Sequence, residues 1–340
     1  MKLKRATKDE PKTEQKTAGP EFLRQIDRRF PGLTEKIRKT IEQSERDFSG
    51  SQLEDSFLWE HSLHVTYLAW KIAREEKEDA VLTGVVALLH DAGKFEDGLY
   101  HHGTKAEEEA AARVAEKLLP SARMEKDEKS RIVGALKSLY REKTEPDRLA
   151  DIIHDADFLS KFGLVGVANF FIKSTLRGRN LHGAIMNHLS KELTYASFLP
   201  MNMRTEAGKV LATKKAEETI KFFKNLLDEL QEIHGLSYQL RKVKLEIPEE
   251  YSAGRKPGSV KSAAGKGLSE KRKKRNLDVW LVMARDCDRC GGSWKIEKGW
   301  EKGIKCTQAT FRVSCTSCQN KYRVAFCLPE ILFSEKRRLP

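Results

Sequence analysis

From Glu21 to Gly235 apolar residues recur three and four positions apart, and no convincing two-residue alternation interrupts them. So long a stretch with helical spacing and no strand signal restricts this part of the chain to an all-α fold. Phe22, Leu23 and Ile26 open the pattern, and Leu33, Ile37 and Ile41 resume it after Pro31-Gly32. Phe57, Leu58, His61, Val65, Leu68, Ala69 and Ile72 lie on a second helix that Asp55 or Ser56 can cap. The segment from Asp79 to His90 is nearly all apolar, which predicts a helix buried on most sides. Thr104-Lys105-Ala106-Glu107 has capping-box spacing and opens an alanine-rich helix to about Leu119. Further helices are predicted near 128–142, 147–173, 182–195 and 205–234.

The rest of the chain is different. Hydrophobic residues make up 39% and charged residues 33% of the 340, a polar balance that predicts unfolded segments diluting folded ones. Residues 1–19 read as a disordered basic tail, with six Lys/Arg against three acids. Residues 249–276 read as a flexible basic linker ending in Lys271-Arg272-Lys273-Lys274-Arg275; within it, 252–276 hold nine Lys/Arg against one acid. Residues 277–340 hold twelve against seven, so of the net +13 the span 20–251 carries −3. Attraction for polyanions therefore belongs to the tail, the linker and the C-terminal module. The longest apolar run, Ala80 to Leu89, falls short of the roughly 18–20 residues that a membrane span needs. Met1-Lys2-Leu3-Lys4-Arg5 leads into polar residues without a signal-peptide core, so a cytoplasmic chain with no membrane contact is expected.

All six cysteines fall in the last fifth of the sequence. Cys287-Asp288-Arg289-Cys290 and Cys315-Thr316-Ser317-Cys318 have the spacing of metal knuckles, and in a reducing compartment such pairs favour zinc over disulfides. Four thiolates close a tetrahedral shell, so this zinc is expected to be structural. Short β-type runs bracket the pairs (Val279-Trp280-Leu281-Val282, Phe311-Arg312-Val313 and Tyr322 to Phe326), so residues 277–340 are predicted to form a small β-rich zinc-ribbon-like module. Cys306 and Cys327 are expected to be small buried residues. Trp294, Trp300 and Phe311 interleave with Lys295, Lys298, Lys302, Lys305 and Arg312, which reads either as RNA or DNA contact through 252–340, with a protein partner as the other use of such a module, or as the module's own small core with the lysines as its solvated face.

Within the helical part, His61, His90-Asp91 and Asp155-Ala156-Asp157 lie on three apolar helices. A buried carboxylate needs a cation, and a divalent metal shared by imidazoles and carboxylates supplies one. In order and in local context these residues resemble the H…HD…D signature of the HD superfamily of metal-dependent phosphohydrolases. Trp59-Glu60-His61-Ser62-Leu63-His64-Val65 is similar to the first motif, His90-Asp91-Ala92-Gly93-Lys94 to the HD-x-G-K form, and Asp155-Ala156-Asp157-Phe158-Leu159 to D-A-D-x-L. The resemblance covers about 55–175. It implies an all-α HD-domain helical bundle over 20–248, with one divalent metal (Mn, Fe, Co or Zn) on His61, His90, Asp91 and Asp155.

Lys94 then stabilises phosphoryl oxygens, Asp157 assists as a base, acts as a hydrogen-bond acceptor or orients its helix, and His101 and His102, before the capped helix, either contact substrate phosphate or are plain loop residues. His64 reads either as a support behind His61 or as a packed histidine; His154, His182, His188 and His234 read as structural. The implied activity is hydrolysis of a small phosphorylated substrate, a nucleotide or a related ester, as a phosphomonoesterase or a phosphodiesterase. The alternative is a nucleic-acid-binding protein whose HD domain is a regulatory or ligand-binding scaffold.

Overall fold

The computed structural model describes residues 20–49, 56–95, 107–139, 147–234, 238–248, 274–287, 289–302 and 307–328. His101, His102, Thr104, Cys306, the tail 1–19 and nearly all of the expected linker lie outside them.

Among the described residues eleven α-helices come first: α1 (Glu21–Arg29), α2 (Leu33–Ser49), α3 (Phe57–Glu75), α4 (Ala80–Leu89), α5 (Glu107–Leu118), α6 (Lys126–Ser138), α7 (Arg148–Ser160), α8 (Gly163–Leu176), α9 (Leu181–Ala184), α10 (Ser190–Asn202) and α11 (Glu206–His234). Five residues of π-helix, Ile185–Leu189, join α9 to α10. The caps are those the sequence offers. The Ser56 hydroxyl accepts from the Trp59 N–H, and Asp79 accepts from Val81 and Leu82. The nearly all-apolar α4 is buried from Leu82 to Leu89 and packs with α3 and α7 at the centre of the main core.

Two antiparallel sheets follow. β1 (Tyr238–Pro248) pairs with β2 (Lys274–Ala284), while β3 (Trp294–Lys302), β4 (Thr307–Cys315) and β5 (Lys321–Cys327) form a second sheet in that order. Val279 to Val282, read from sequence as the first of the short strands around the cysteine pairs, lies in β2 and pairs with Leu240 to Val243. This apolar strand has two sides to bury. Val279, Leu281 and Met283 pack with Phe311, Val313 and Phe326 of the second sheet. Trp280 and Val282 pack with Leu193, Phe223 and Leu227 of the helices. The β1–β2 ribbon is thus a middle layer joining the helical bundle to the cysteine-bearing sheet.

Hydroxyls complete this layer where no further strand does. Val282 N–H donates to Ser190 Oγ at 2.9 Å, and Trp280 N–H to Thr194 Oγ1 at 3.0 Å. Ser190→Ala orphans a buried N–H and is expected to cost about 1–3 kcal/mol. A Tm lower by several degrees in calorimetry is the expected result; an unchanged Tm contradicts this docking.

Candidate metal centre

Three helices converge on one point. α3 carries His61, His90 and Asp91 follow the last turn of α4, and α7 carries Asp157. His61 Nε2 lies 3.5 Å from Asp91 Oδ2 and 3.5 Å from Asp157 Oδ1, and His90 Nε2 lies 3.7 Å from Asp91 Oδ2. One donor atom each from His61, His90 and Asp157 falls within 4.8 Å of the others. Two ligands sharing an ion through bonds of about 2.0–2.2 Å stand roughly 3–3.5 Å apart, so the spacing suits a common cation.

The atoms are also prepared for one. His90 Nδ1 donates to the Ala87 carbonyl at 2.7 Å, leaving Nε2 as the bare lone pair, and that buried Nε2 has no hydrogen-bond partner among the described residues. Burial pushes the His90 pKa down and so keeps the ring neutral. Burial works to raise the Asp91 pKa, but His90, Lys94 and His61 outweigh it and hold it at about 2. Asp157, likewise opposed by burial, is held well below the usual carboxylate range by Lys161, His61 and His90. Two ionised carboxylates and two imidazoles in one buried corner form a mixed nitrogen and oxygen donor set that fits a divalent transition ion.

Asp155 does not join them. It is fully buried, and both its oxygens are taken. Oδ1 accepts from Arg204 N–H at 2.8 Å and stands 3.0 Å from His154 Nδ1; Oδ2 accepts from Thr205 N–H and Thr205 Oγ1, each at 2.8 Å. It closes the N-terminus of α11 from another helix, against Gly208, where a Cβ would lie 2.4 Å from Oδ2. Its need for a positive partner is met by N–H and O–H donors, and Asp157 takes the place at the imidazoles.

Residues 58–161 match the model of the HD domain. The matched residues lie within the helical part of the chain, which a C-terminal region of small antiparallel sheets follows. No curated protein matches it. A predicted HD superfamily hydrolase from an uncultured Thermotogales bacterium is 22% identical, with a TM-score of 0.45 over 61% of this chain and 98% of that one. Bacillus subtilis YpgQ in complex with ADP is 20% identical, with a TM-score of 0.43 over 60% of this chain and 96% of that one. An HD-superfamily hydrolase from Bacillus thuringiensis is 20% identical, with a TM-score of 0.43 over 58% of this chain and 98% of that one.

Cations surround the HD site. Lys94 Nζ donates to Asp91 Oδ2 at 2.9 Å. Lys161 Nζ donates to Asp157 Oδ2 at 2.9 Å. Lys173 of α8 rests over the Phe57 ring at 5.3 Å, its pKa lowered first by burial and then by repulsion from Lys161 and Lys94. Neither Lys161 nor Lys173 was among the expected site residues. For Lys161 the i,i+4 step from Asp157 was the available signal; Lys173, on the next helix, has none.

His64 is half-buried, and burial, Lys215 and His61 lower its pKa to about 4. His90, His154 and His188 are lowered mainly by burial too. These imidazoles bind protons in the unfolded chain near pH 6.5 but not in the folded one, so stability is full above pH 6.5 and declines below it, for His64 down to pH about 4. Asp91 and Asp157 lose their own contribution in the more acid range below the ordinary carboxylate value of 3.8. Chelator-treated protein should show Tm falling steadily from pH 7 to 5, with a shallower slope in His64→Phe; a flat profile contradicts the neutral histidines.

The four cysteines of the two knuckles form a second centre, outside the HD domain. Cys287 Sγ and Cys318 Sγ are 3.6 Å apart, Cys290 Sγ and Cys315 Sγ 3.5 Å, and all four lie within 4.8 Å of one another. A tetrahedron of sulfurs about 2.3 Å from zinc has edges near 3.8 Å, so this cage fits zinc. The knuckles match: Cys287 N–H donates to Gly292 O and Cys315 N–H to Asn320 O, and the residues after the second cysteines, Gly291 and Gln319, both take positive φ. N–H groups of Cys318 and Ser317 pull the Cys315 thiol down to about 6. Cys327, expected to be a plain buried residue, is disulfide-bonded. Trp294 and Trp300, both partly buried, pack against the inter-sheet core and Phe311 lies within it.

Proposed function

We propose that the HD domain is a metal-dependent phosphohydrolase acting on a small phosphate ester, a nucleotide or a close relative. His61, His90, Asp91 and Asp157 hold one divalent ion, and Cys287, Cys290, Cys315 and Cys318 hold one structural zinc. The observation that carries the reading is the buried, unpartnered His90 Nε2 facing two ionised carboxylates beside a second imidazole. A divalent ion in such a place acidifies water toward neutral pH and offsets charge on phosphorus.

The chain's own residues supply the rest. The Ala87 carbonyl fixes the His90 ring and its tautomer. Lys94 and Lys161 are anchored at the rim by Asp91 and Asp157 and present ammonium protons to a phosphoryl group. Lys173 adds a half-buried charge on the α8 side, and two ammoniums already repel it, so an incoming anion relieves that repulsion. The −3 on residues 20–251 disfavours a long nucleic acid in this cleft and leaves a small phosphate ester as the favoured substrate.

The test is metal analysis of the purified protein, followed by a panel of nucleotide mono-, di- and cyclic esters. One transition ion beside one zinc, with hydrolysis lost on chelation and in Asp91→Ala, is the expected result. A folded, metal-loaded protein inert across the panel overturns the proposal. Lys173→Gln is expected to raise KM about tenfold, the scale of one charge-assisted contact, with metal content unchanged; an unaltered KM removes Lys173 from substrate binding.

A further inference from the structure

The chain turns sharply between α8 and α9. Gly178 takes a φ of +72°, and the Arg179 N–H donates back to the Ser174 carbonyl at 3.0 Å, which closes the end of α8. Past α9 the π segment Ile185–Leu189 carries His188, and Lys191 follows in the first turn of α10. Short π segments are frequent at functional sites. This corner gathers cations. Arg177 is exposed, Arg179 and Lys191 are half-buried, and none of the three forms an ion pair with a carboxylate among the described residues. Arg179 Nη1 and His188 Nε2 are both buried and have no hydrogen-bond partner among the described residues. Burial first, then Arg179, Lys191 and Arg177, push the His188 pKa down, so the imidazole stands among all three charges. A buried donor without an acceptor is costly, and an anion removes that cost.

The corner adjoins the HD site. Lys173 and Arg177 stand one turn apart at the end of α8, about 6 Å along its axis. Arg177 adds to the repulsion that Lys161 and Lys94 exert on Lys173. Glu192 of α10 borders both groups: burial raises its pKa, while Lys191, Lys173 and Lys161 all act to lower it. One carboxylate, pushed by burial toward its neutral form, leaves this line of cations in excess. We propose that Arg177, Arg179, His188 and Lys191 bind a second phosphate group of the substrate held at the HD site. This rests on the phosphohydrolase reading and adds the substrate class, a small molecule that carries two separate phosphates. Guanidinium forks match phosphate oxygens, and two of them with an ammonium suit a dianion.

The experiment is equilibrium binding by thermophoresis on the full-length chain with its metals, with cleavage followed separately. The probes are adenosine 5′-monophosphate, adenosine 3′,5′-bisphosphate and inorganic phosphate. The bisphosphate is expected to bind at least about tenfold more tightly than the monophosphate, the worth of one hydrogen bond to a charged group. Arg179→Gln and Lys191→Gln should each remove most of that preference and leave the Kd of the monophosphate unchanged, with Arg179→Lys retaining part of it. Tm reports folding; if Arg179→Gln unfolds the chain, Lys191→Gln carries the test. Equal affinity for the two nucleotides in the wild type, or a preference that survives the glutamine variants, overturns the proposal. So does inorganic phosphate that binds the wild type and not Arg179→Gln while the two nucleotides bind alike, because the cluster then takes a free anion. A bisphosphate that binds in the expected pattern and is never cleaved supports this site and counts against the phosphohydrolase reading.

Discussion

Asp157→Asn is expected to lower the metal affinity of the HD site by more than about 100-fold while lowering the Tm of the metal-free protein less than Asp155→Asn does. Residues behind a ligand are worth roughly 10–100-fold in affinity, and a ligand itself is worth more. The amide is isosteric with the carboxylate. In the metal-free protein it removes the repulsion between Asp157 and Asp91, which offsets part of the loss of the Lys161 ion pair at 2.9 Å and of the His61 contact at 3.5 Å. Hydrolysis should fall with the metal. Retained metal and activity in Asp157→Asn would remove α7 from the site.

Asp155→Asn, two residues away, should do the opposite. Its carboxylate accepts from two backbone N–H groups and a hydroxyl at the start of α11 and is fully buried. An amide turns one acceptor into a donor and sets it against those donors. Breaking a buried charged network of this kind costs about 3–5 kcal/mol. For a helical region of this size the cost corresponds to a fall in Tm of about 10 °C. The part that stays folded should still bind metal through the other four side chains. Calorimetry and metal analysis on the two asparagine variants separate the roles, because each variant moves one readout far more than the other.

This pair also shows where the sequence stops being legible. The helices, their caps, the buried α4, the imidazoles His61 and His90 and the cysteine knuckles all follow from spacing that one element's own physics enforces. The choice between Asp155 and Asp157 does not. Residues two apart on a helix point to nearly opposite sides, and usually the polar side gives the answer. In α7 there is no polar side: Leu149, Ala150, every residue from Ile152 to Asp157, Leu159 and Ser160 are buried. Which side meets the imidazoles and which meets the start of α11 is decided by neighbours distant in sequence. The i,i+4 pairing of Asp157 with Lys161 was the one local sign.

The place of β2 is hidden for a related reason. Val279-Trp280-Leu281-Val282 reads as a strand on any scale, but four consecutive apolar residues demand two buried faces. A small ribbon at the end of a linker supplies one face. The second comes from α10 and α11, whose contribution no local pattern announces. The aromatic residues of β3 follow the opposite logic. Trp294, Ile296 and Trp300 share one side of the strand by the two-residue period, and an apolar stripe of that kind belongs to a core.

The most direct test of the central claim is an anomalous diffraction map of crystals grown with manganese, collected near the metal edge. One strong peak outside the cysteine cage, within about 2.0–2.4 Å of His61 Nε2, His90 Nε2 and carboxylate oxygens of Asp91 and Asp157, is the predicted result. A peak beside Asp155 and His154, or no peak between α3, α4 and α7 in protein that hydrolyses phosphate esters, would contradict it.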